Sequence, residues 1–149
     1  MNNPLFKNIA VIGAGTMGSG IAAQIANAGH NVLLLDLDAR DGASKIPSAA
    51  ALDRLIASDP PQLMHKSYVE RISPGTINHD FAKLADCDWI IEAVVERIDV
   101  KKDLYKRLNE IIREDCIVSS NTSTIPIKLL VEDMPASFQQ RFAITHYFN

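Results

Sequence analysis

Residues 11–20, VIGAGTMGSG, hold four of the chain's seven glycines, and they directly follow a short apolar run. Glycine inside a regular element costs about 0.5–1 kcal/mol relative to alanine. A sequence that concentrates glycines at one point therefore indicates a place where side chains must be absent.

The residues around this stretch predict a strand, a helix and a second strand. NIAVI, residues 8–12, and NVLLLD, residues 31–36, are short apolar runs bounded by polar residues. Between them, apolar residues recur at helical spacing from Met17 to Ala28, and Gly29 provides a helix stop. Continuous rather than alternating apolar runs are typical of parallel strands that are covered on both faces.

The same alternation returns in the second half of the chain. Apolar spacing from Val100 to Ile111 predicts a helix with Asp99 as its N-cap, and residues 125–134 predict a shorter helix with Pro126 in its first turn. Strands are predicted at residues 88–94, 116–120 and 141–148. Strands that alternate with helices predict an α/β fold, a Rossmann-type doubly wound, mostly parallel sheet with helices on both faces.

The region between residues 37 and 88 has a weaker pattern, but it is too long for a plain loop. Residues 46–57 predict a helix that ends before the Pro60-Pro61 pair. A strand stub within residues 69–75 and a short helix at 79–86 complete the expected elements.

Composition places the chain among single-domain globular proteins. Its 149 residues are 47% hydrophobic with a formal charge of -3, and no basic stripe is present, so nucleic acid is not an expected partner. The longest apolar runs are about five residues, whereas a membrane helix needs roughly 20. Residues 1–8 are too short and too polar for a signal peptide, so we expect a cytoplasmic protein.

The cysteines and histidines do not suggest a metal site. Cys87 and Cys116 lie near predicted strand starts and are interpreted as small buried thiols in a reducing compartment. No Cys/His spacing typical of metal ligands occurs, so no metal is expected.

With a strand before it and a helix after it, Gly13-x-Gly15-x-x-Gly18 has the form of a dinucleotide-binding fingerprint. Gly13 allows the tight turn, Gly15 allows the backbone to approach a pyrophosphate, and Gly18 allows the helix to pack closely on the strand. The helix N-terminus offers free N–H groups to phosphate. We therefore expect the cofactor to contact the whole segment, which includes Ala14, Thr16 and Met17.

Asp36 ends the second predicted strand, 18 residues after Gly18. Its carboxylate is placed to accept hydrogen bonds from the adenosine ribose and to repel a 2′-phosphate, which favours NAD over NADP. Nearby Arg40 weakens that preference slightly. The alternative, a glycine turn in another kind of α/β domain, leaves the position of Asp36 unexplained.

Three further stretches each follow a predicted strand: IIEAVVE at residues 90–96, SSNTSTI at 119–125 and THYFN at 145–149. Together with the fingerprint they closely resemble the NAD-binding domain of the L-3-hydroxyacyl-CoA dehydrogenase family, from Lys7 to Asn149 except in the middle region. The resemblance implies NAD as cofactor and an L-3-hydroxyacyl-CoA, oxidised to the 3-ketoacyl-CoA, as substrate.

The resemblance also implies roles for individual residues. His146 matches the family's catalytic histidine, which acts as a general base. Ser123 matches the serine that hydrogen-bonds the reacting oxygen and lies beside NAD, although an ordinary loop or cap serine is the alternative. Asn149 matches an asparagine near the nicotinamide.

Two acids and a lysine around residues 90–101 also match the family. Glu96 and Lys101 correspond to residues that contact NAD, with a solvated lysine as the alternative at position 101. We interpret Glu92 as a structural, hydrogen-bonded carboxylate at a strand end.

Several parts of the family's enzyme lie outside these motifs. The family pairs its histidine with a glutamate further along the chain, and a C-terminal helical domain completes the acyl-CoA site and the homodimer. Larger relatives are fused to an enoyl-CoA hydratase module. We therefore expect residues 1–149 to be the dinucleotide-binding domain, inactive by itself, with nothing sizeable before it. The middle region does not match the family's CoA-holding excursion, so no CoA contact is assigned.

Two alternatives to this function stay open. The N-terminal stretch also resembles β-hydroxyacid dehydrogenases such as those acting on 3-hydroxyisobutyrate, but SNTS and HYFN argue against them. Lambda-crystallin, a lens protein without a catalytic role, resembles the same dehydrogenases. Intact His146 and Ser123 argue against a purely structural role.

Overall fold

Six strands form one sheet in the computed structural model, which describes residues 5–148. All the strand pairings are parallel, and the order across the sheet is β3-β2-β1-β4-β5-β6. The strands are β1 (Ile9–Ile12), β2 (Val32–Asp36), β3 (Ile72–Thr76), β4 (Trp89–Glu92), β5 (Ile117–Ser120) and β6 (Phe142–Ile144). The predicted doubly wound α/β fold is confirmed.

Helices cover both faces of this sheet. They are α1 (Thr16–Asn27), α2 (Pro47–Ala57), α3 (Ile77–Asp80), α4 (Ile98–Ile111), α5 (Ile127–Val131) and α6 (Ala136–Gln139), with 3₁₀ helices at Lys66–Arg71 and Phe81–Asp86. Ala10 and Ile12 of β1 pack in the core that contains α4, whereas Ile9 and Val11 pack in the core that contains α1. Burial on both faces explains why the strands are continuous apolar runs.

The strand order reverses at β1, which lies between β2 and β4. Ile12 at the end of β1 is level with Leu35 on one side and with Glu92 on the other. In open parallel sheets, ligands bind in the crevice at the carboxyl ends of the strands where the order reverses. The glycine stretch follows β1 directly and therefore lies at this crevice.

The structure resolves the middle region that the sequence defined weakly. The helix expected at residues 46–57 is α2, and the strand stub is β3, which adds to the sheet edge beside β2. Residues 79–86 continue from α3 into a 3₁₀ helix.

Two predicted strands are shorter than expected. The fourth strand ends at Glu92 rather than residue 94, because the Glu92 carboxylate accepts a hydrogen bond from the Val94 backbone N–H at 2.8 Å. The sixth ends at Ile144 rather than residue 148, and the Tyr147 N–H beyond it donates to the Asn121 side chain. In both places a side chain takes the backbone group that a strand would use.

Two predicted helix starts were wrong by one to two residues. Arg97, not Asp99, is the N-cap of α4, and Asp99 lies in the first turn, where it pairs with Arg97 at 2.5 Å. Pro126 is the residue before α5 rather than part of its first turn. Helix α6 was not predicted.

Both cysteines are buried, as predicted. Burial raises the pKa of the Cys87 thiol to about 12 and that of Cys116 to about 11. Within residues 5–148, every helix is too short or too polar to cross a membrane.

Asp88, just before β4, ties three separate parts of the chain together. Its carboxylate accepts hydrogen bonds from the backbone N–H groups of Asn8 and Lys7, each at 2.8 Å, and from Arg113 at 2.6 Å. The Asn8 N–H, the Arg113 side chain and the Lys7 N–H lower the pKa of Asp88 to about 2. The ionised form therefore stabilises the fold.

We predict that Asp88→Asn lowers the free energy of unfolding at pH 7 by about 1.5–3 kcal/mol, since hydrogen bonds to a charged group are lost. A carboxyl whose pKa is depressed on folding stabilises above its ordinary pKa and loses that effect as pH falls toward its folded pKa. The wild type should therefore lose stability between about pH 5 and pH 2 more steeply than the variant.

Urea unfolding across this pH range measures the free energy of unfolding of both proteins. Asp53→Asn, which removes an exposed ion pair with Lys45, is the control; equal slopes in wild type and Asp88→Asn would contradict the prediction.

Candidate cofactor and active site

Two of the fingerprint glycines are required by close packing. Gly13 has a φ of 106°, and a Cβ there would lie 2.3 Å from the Ala93 carbonyl oxygen. A Cβ on Gly18 would lie 1.7 Å from the Gly13 carbonyl oxygen. The structure thus supports the interpretation of Gly13 as the tight turn and Gly18 as the close contact between helix and strand.

Gly15 has the opposite environment. A Cβ built on it meets no atom within 4 Å, and the residue is exposed at the N-cap of α1. No side chain caps this helix and no acid lies in its first turn, so its first N–H groups and the positive end of its dipole face open space. This open cradle, which a Cβ would partly fill, fits the pyrophosphate of a dinucleotide.

Asp36 directly contacts the loop between β1 and α1, residues 13–15, which we call the glycine loop. Its Oδ2 accepts a hydrogen bond from the Ala14 N–H at 2.5 Å, and its Oδ1 accepts one from the Leu37 N–H at 2.6 Å. The Ala14 carbonyl in turn accepts a hydrogen bond from Arg54 of α2 at 2.9 Å. Both backbone groups of Ala14 are therefore engaged within the protein, and they fix the shape of the loop.

A cavity of about 480 Å³ opens on the Asp36 side of the glycine loop. It lies at the carboxyl ends of β1 and β2 and also reaches α4. Its lining includes Gly13, Gly15, Asp36, Leu37, Val95 and Arg107. The cavity brings the predicted ribose-binding acid beside the predicted phosphate loop.

A second cavity, of about 340 Å³, lies on the other side of the loop at the ends of β4, β5 and β6. Predicted site residues that are distant from one another in sequence line this cavity together. Two of them, Ser123 and His146, are exposed. Its lining includes Met17, Glu96, Lys101, Asn121, Ser123 and His146. Asn149 lies outside the described residues.

The segment around His146 is held by the one around Ser120. The Thr145 N–H donates to the Ser120 carbonyl at 3.0 Å, and the Tyr147 N–H donates to Asn121 Oδ1 at 2.9 Å. These two bonds hold the backbone on both sides of His146. The imidazole lies beside the Phe148 ring, with 4.8 Å between ring centroids.

Glu92 is fully buried and accepts four hydrogen bonds. Oε1 accepts from the Val94 N–H at 2.8 Å and from Lys101 Nζ at 2.6 Å. Oε2 accepts from the Tyr105 hydroxyl at 2.7 Å and from Ser120 Oγ at 2.6 Å. The interpretation of Glu92 as a structural, hydrogen-bonded carboxylate is confirmed.

Lys101 is buried rather than solvated, so the alternative of a solvated lysine is wrong. Its side chain is 1% exposed, and Nζ lies 2.6 Å from Glu92 and 3.5 Å from Glu96. Burial alone would raise the pKa of Glu96, but the hydrogen bond from Thr122 and the charge of Lys101 outweigh it, so this pKa lies below its ordinary value. A negative charge therefore persists at the edge of the second cavity.

Sequence reasoning missed several residues that shape the two cavities. Asn121 and Thr122 lie inside the SSNTSTI stretch, but neither received a role. Tyr105 lies four residues after Lys101 on the same face of α4, a spacing that could have linked it to Glu92. Arg54 gave no signal, because its contact with Ala14 spans 40 residues and depends on the packing of α2.

In chemical terms, the second cavity places an imidazole and a hydroxyl beside a glycine loop suited to a dinucleotide. An imidazole exchanges protons near neutral pH, and a serine hydroxyl can donate a hydrogen bond to a substrate oxygen. Such a pair suits the removal of a proton from an alcohol next to a hydride acceptor.

The chain matches the family model described as "3-hydroxyacyl-CoA dehydrogenase, NAD binding domain" over residues 8–149. It is 44% identical over 145 residues to a Rickettsia felis protein named as a putative fatty acid oxidation complex trifunctional enzyme, which covers 96% of this chain and 20% of the relative. It is 40% identical over 144 residues to a probable 3-hydroxyacyl-CoA dehydrogenase of Deinococcus radiodurans, covering 96% of this chain and 42% of the relative. The chain thus spans less than half the length of these relatives.

Among solved structures, 3-hydroxybutyryl-CoA dehydrogenase from Escherichia coli K12 superimposes with a TM-score of 0.80 at 32% identity. The match covers 100% of this chain and 30% of that one. A similar match, with a TM-score of 0.74 at 33% identity, exists to the (S)-3-hydroxybutyryl-CoA dehydrogenase of Ralstonia eutropha, covering 97% of this chain and 50% of the other.

We predict that Gly15→Val abolishes NADH binding and leaves the fold intact, because a Cβ at this position meets no protein atom within 4 Å and the side chain enters the open cradle. Gly18→Ala is the matched control: its methyl group collides with the Gly13 carbonyl, so it should destabilise the chain. NADH fluorescence titration and thermal unfolding distinguish the two effects. Normal NADH affinity in Gly15→Val would refute the assignment of the phosphate cradle.

Proposed function

Because the chain belongs to the 3-hydroxyacyl-CoA dehydrogenase family and corresponds to the NAD-binding domain of its members, we propose that the protein oxidises an L-3-hydroxyacyl-CoA to the 3-ketoacyl-CoA. One observation carries this proposal: His146 and Ser123 line a single cavity together with Met17, which lies in the first turn of α1 within the glycine stretch.

In the proposed reaction, His146 removes the proton from the substrate's 3-hydroxyl group as a general base. Ser123 donates a hydrogen bond to the same oxygen and orients it as the C–O bond becomes a carbonyl. NAD, when bound, would supply the acceptor for the hydride that leaves carbon 3. The protein's own contribution is therefore proton transfer and positioning.

We assign the two halves of the cofactor to the two cavities. The segment from Gly13 to Gly18 takes the pyrophosphate, and Asp36 accepts hydrogen bonds from the adenosine ribose. Glu96, Lys101 and Ser123 line the second cavity and would hold the nicotinamide half. We propose that Asn149, which lies outside the described residues, also contacts the nicotinamide. Since Asp36 already bonds the Ala14 N–H, ribose recognition and loop shape depend on the same carboxylate.

We further propose that the whole protein carries a C-terminal helical domain that supplies the glutamate partner of His146, encloses the acyl chain and forms a homodimer. A fused enoyl-CoA hydratase module is consistent with the relatives that are named trifunctional or multifunctional enzymes. We place the protein in the cytoplasm, with an acyl-CoA as its substrate.

We predict that the 149-residue chain binds NADH more tightly than NADPH. Asp36→Ala should weaken NADH binding by about 1.5–3 kcal/mol, because hydrogen bonds to a charged group are lost. The substitution should also reduce the ratio between the affinities for NADH and NADPH. Calorimetric titration of both cofactors measures this, with exposed Asp53→Ala as control. Equal affinities of the wild type for NADH and NADPH would contradict the role of Asp36.

We predict that the 149-residue chain alone turns over almost no acetoacetyl-CoA with NADH, whereas a longer version with the proposed second domain is active. Loss of an orienting carboxylate alone cost about 10⁴ in kcat in the serine-protease triad, and here the acyl-binding wall would be missing too. The decrease in NADH absorbance measures both versions. In the longer version, His146→Ala should lower kcat by roughly 10²–10⁴. Comparable kcat/KM in the two versions would show that the second domain is not needed.

A further inference from the structure

Ser123 lies between two threonines that contact the same carboxylate oxygen. Thr122 Oγ1 donates a hydrogen bond to Glu96 Oε1, and Thr124 Oγ1 lies 3.3 Å from that oxygen. Glu96 belongs to the loop after β4. The residues on both sides of Ser123, which follows β5, therefore contact the loop that follows β4.

The two threonines differ in burial and in what else they bind. Thr122 is 3% exposed, and its hydroxyl also accepts a hydrogen bond from the Ile125 N–H at 3.1 Å. Its own N–H donates to Ser120 Oγ at 3.2 Å. Thr124 is exposed, and its 3.3 Å contact with Glu96 is long for a hydrogen bond between oxygen atoms. Thr122 is thus the stronger of the two ties.

These contacts close into a ring that begins and ends at Glu92. Ser120 donates to Glu92 Oε2 and accepts from Thr122 N–H; Thr122 donates to Glu96 Oε1. Glu96 Oε2 lies 3.5 Å from Lys101 Nζ, which donates to Glu92 Oε1 at 2.6 Å. The ring thus runs from the buried end of β4 to the cavity and back.

We propose that Thr122 is a positioning residue that holds Glu96 and Ser123 in place at the cavity where the reaction occurs. This inference rests on the proposed function, because it assigns a purpose to the placement of Glu96 and Ser123. The ring transmits the fixed position of Glu92 to both residues.

The charges around Glu96 make this role measurable. Lys101 faces it from α4, Glu92 and Tyr105 lie behind Lys101, and His146 lines the same cavity. Within this set, Thr122 supplies the buried hydroxyl that stabilises the ionised form of Glu96. Removal of that hydroxyl should raise the pKa of Glu96. Burial, which disfavours the ionised carboxylate, would then be opposed by one hydrogen bond fewer.

The test compares Thr122→Val with Thr122→Ser and Thr124→Val in the 149-residue chain. The carboxyl carbon of Glu96 is titrated by ¹³C NMR without cofactor, and NADH affinity is measured by fluorescence from pH 7 downward. In Thr122→Val, the Glu96 carboxyl should titrate at a higher pH than in the wild type. NADH affinity should fall roughly tenfold or more, and the pH below which NADH binding is lost should be higher than in the wild type. Thr122→Ser keeps the hydroxyl and should resemble the wild type, and Thr124→Val should change both readouts less.

Several results would overturn the proposal. One is a Glu96 titration in Thr122→Val that matches the wild type or moves no more than in Thr124→Val. Another is a Thr122→Ser variant that behaves like Thr122→Val, which would assign the effect to packing. A variant that only unfolds more easily, with an unchanged Glu96 titration, would show a merely structural role.

Two further provisions keep the test decisive. Thr122→Ala replaces Thr122→Val if the amide spectrum of the valine variant shows an altered fold. A wild-type chain that binds no NADH would refute the proposed function, whereas the Glu96 titration still decides the role of Thr122, because it needs no cofactor.

Discussion

The carboxylate of Glu92 is the interaction on which the ligand-binding edge of the sheet depends. A buried ion costs several kcal/mol of desolvation unless its partners are well placed. Glu92 meets that requirement with donors from the loop after β4, from α4 and from β5. Since each donor must keep its place for the charge to stay satisfied, three elements are held in one arrangement. The cavity beside the glycine loop is built on these three elements.

The sequence predicted those features that depend on local backbone requirements. The structure supports the interpretation of Gly13 and Gly18, because a tight turn and a close helix contact each demand the absence of a Cβ, at a spacing that is visible along the chain. The position of Asp36 followed from the length of the second strand. The strand and helix order, and hence the sheet, followed from hydrophobic periodicity.

What the sequence did not predict depends on contacts between distant residues. Arg54 reaches Ala14, and Thr122 reaches Glu96, only after α2 and β5 have packed. Two strands were predicted too long because the apolar residues after Glu92 and Ile144 continue the hydrophobic pattern, although the backbone N–H groups of Val94 and Tyr147 donate to side chains rather than to a neighbouring strand. Hydrophobic pattern alone does not distinguish a side chain buried in the core from one that faces a ligand site.

Trp89 gives this molecule a built-in optical reporter. It is the chain's single tryptophan, and its indole N–H donates to Ser119, which also accepts a hydrogen bond from Thr145 beside His146. It lies three residues before Glu92 on β4, a rise of about 10 Å. Indole emission overlaps the near-ultraviolet absorption of a reduced nicotinamide, so a cofactor bound at the carboxyl end of β4 would quench Trp89 by energy transfer. Through Ser119 and Thr145, the indole is also coupled to the segment that carries His146.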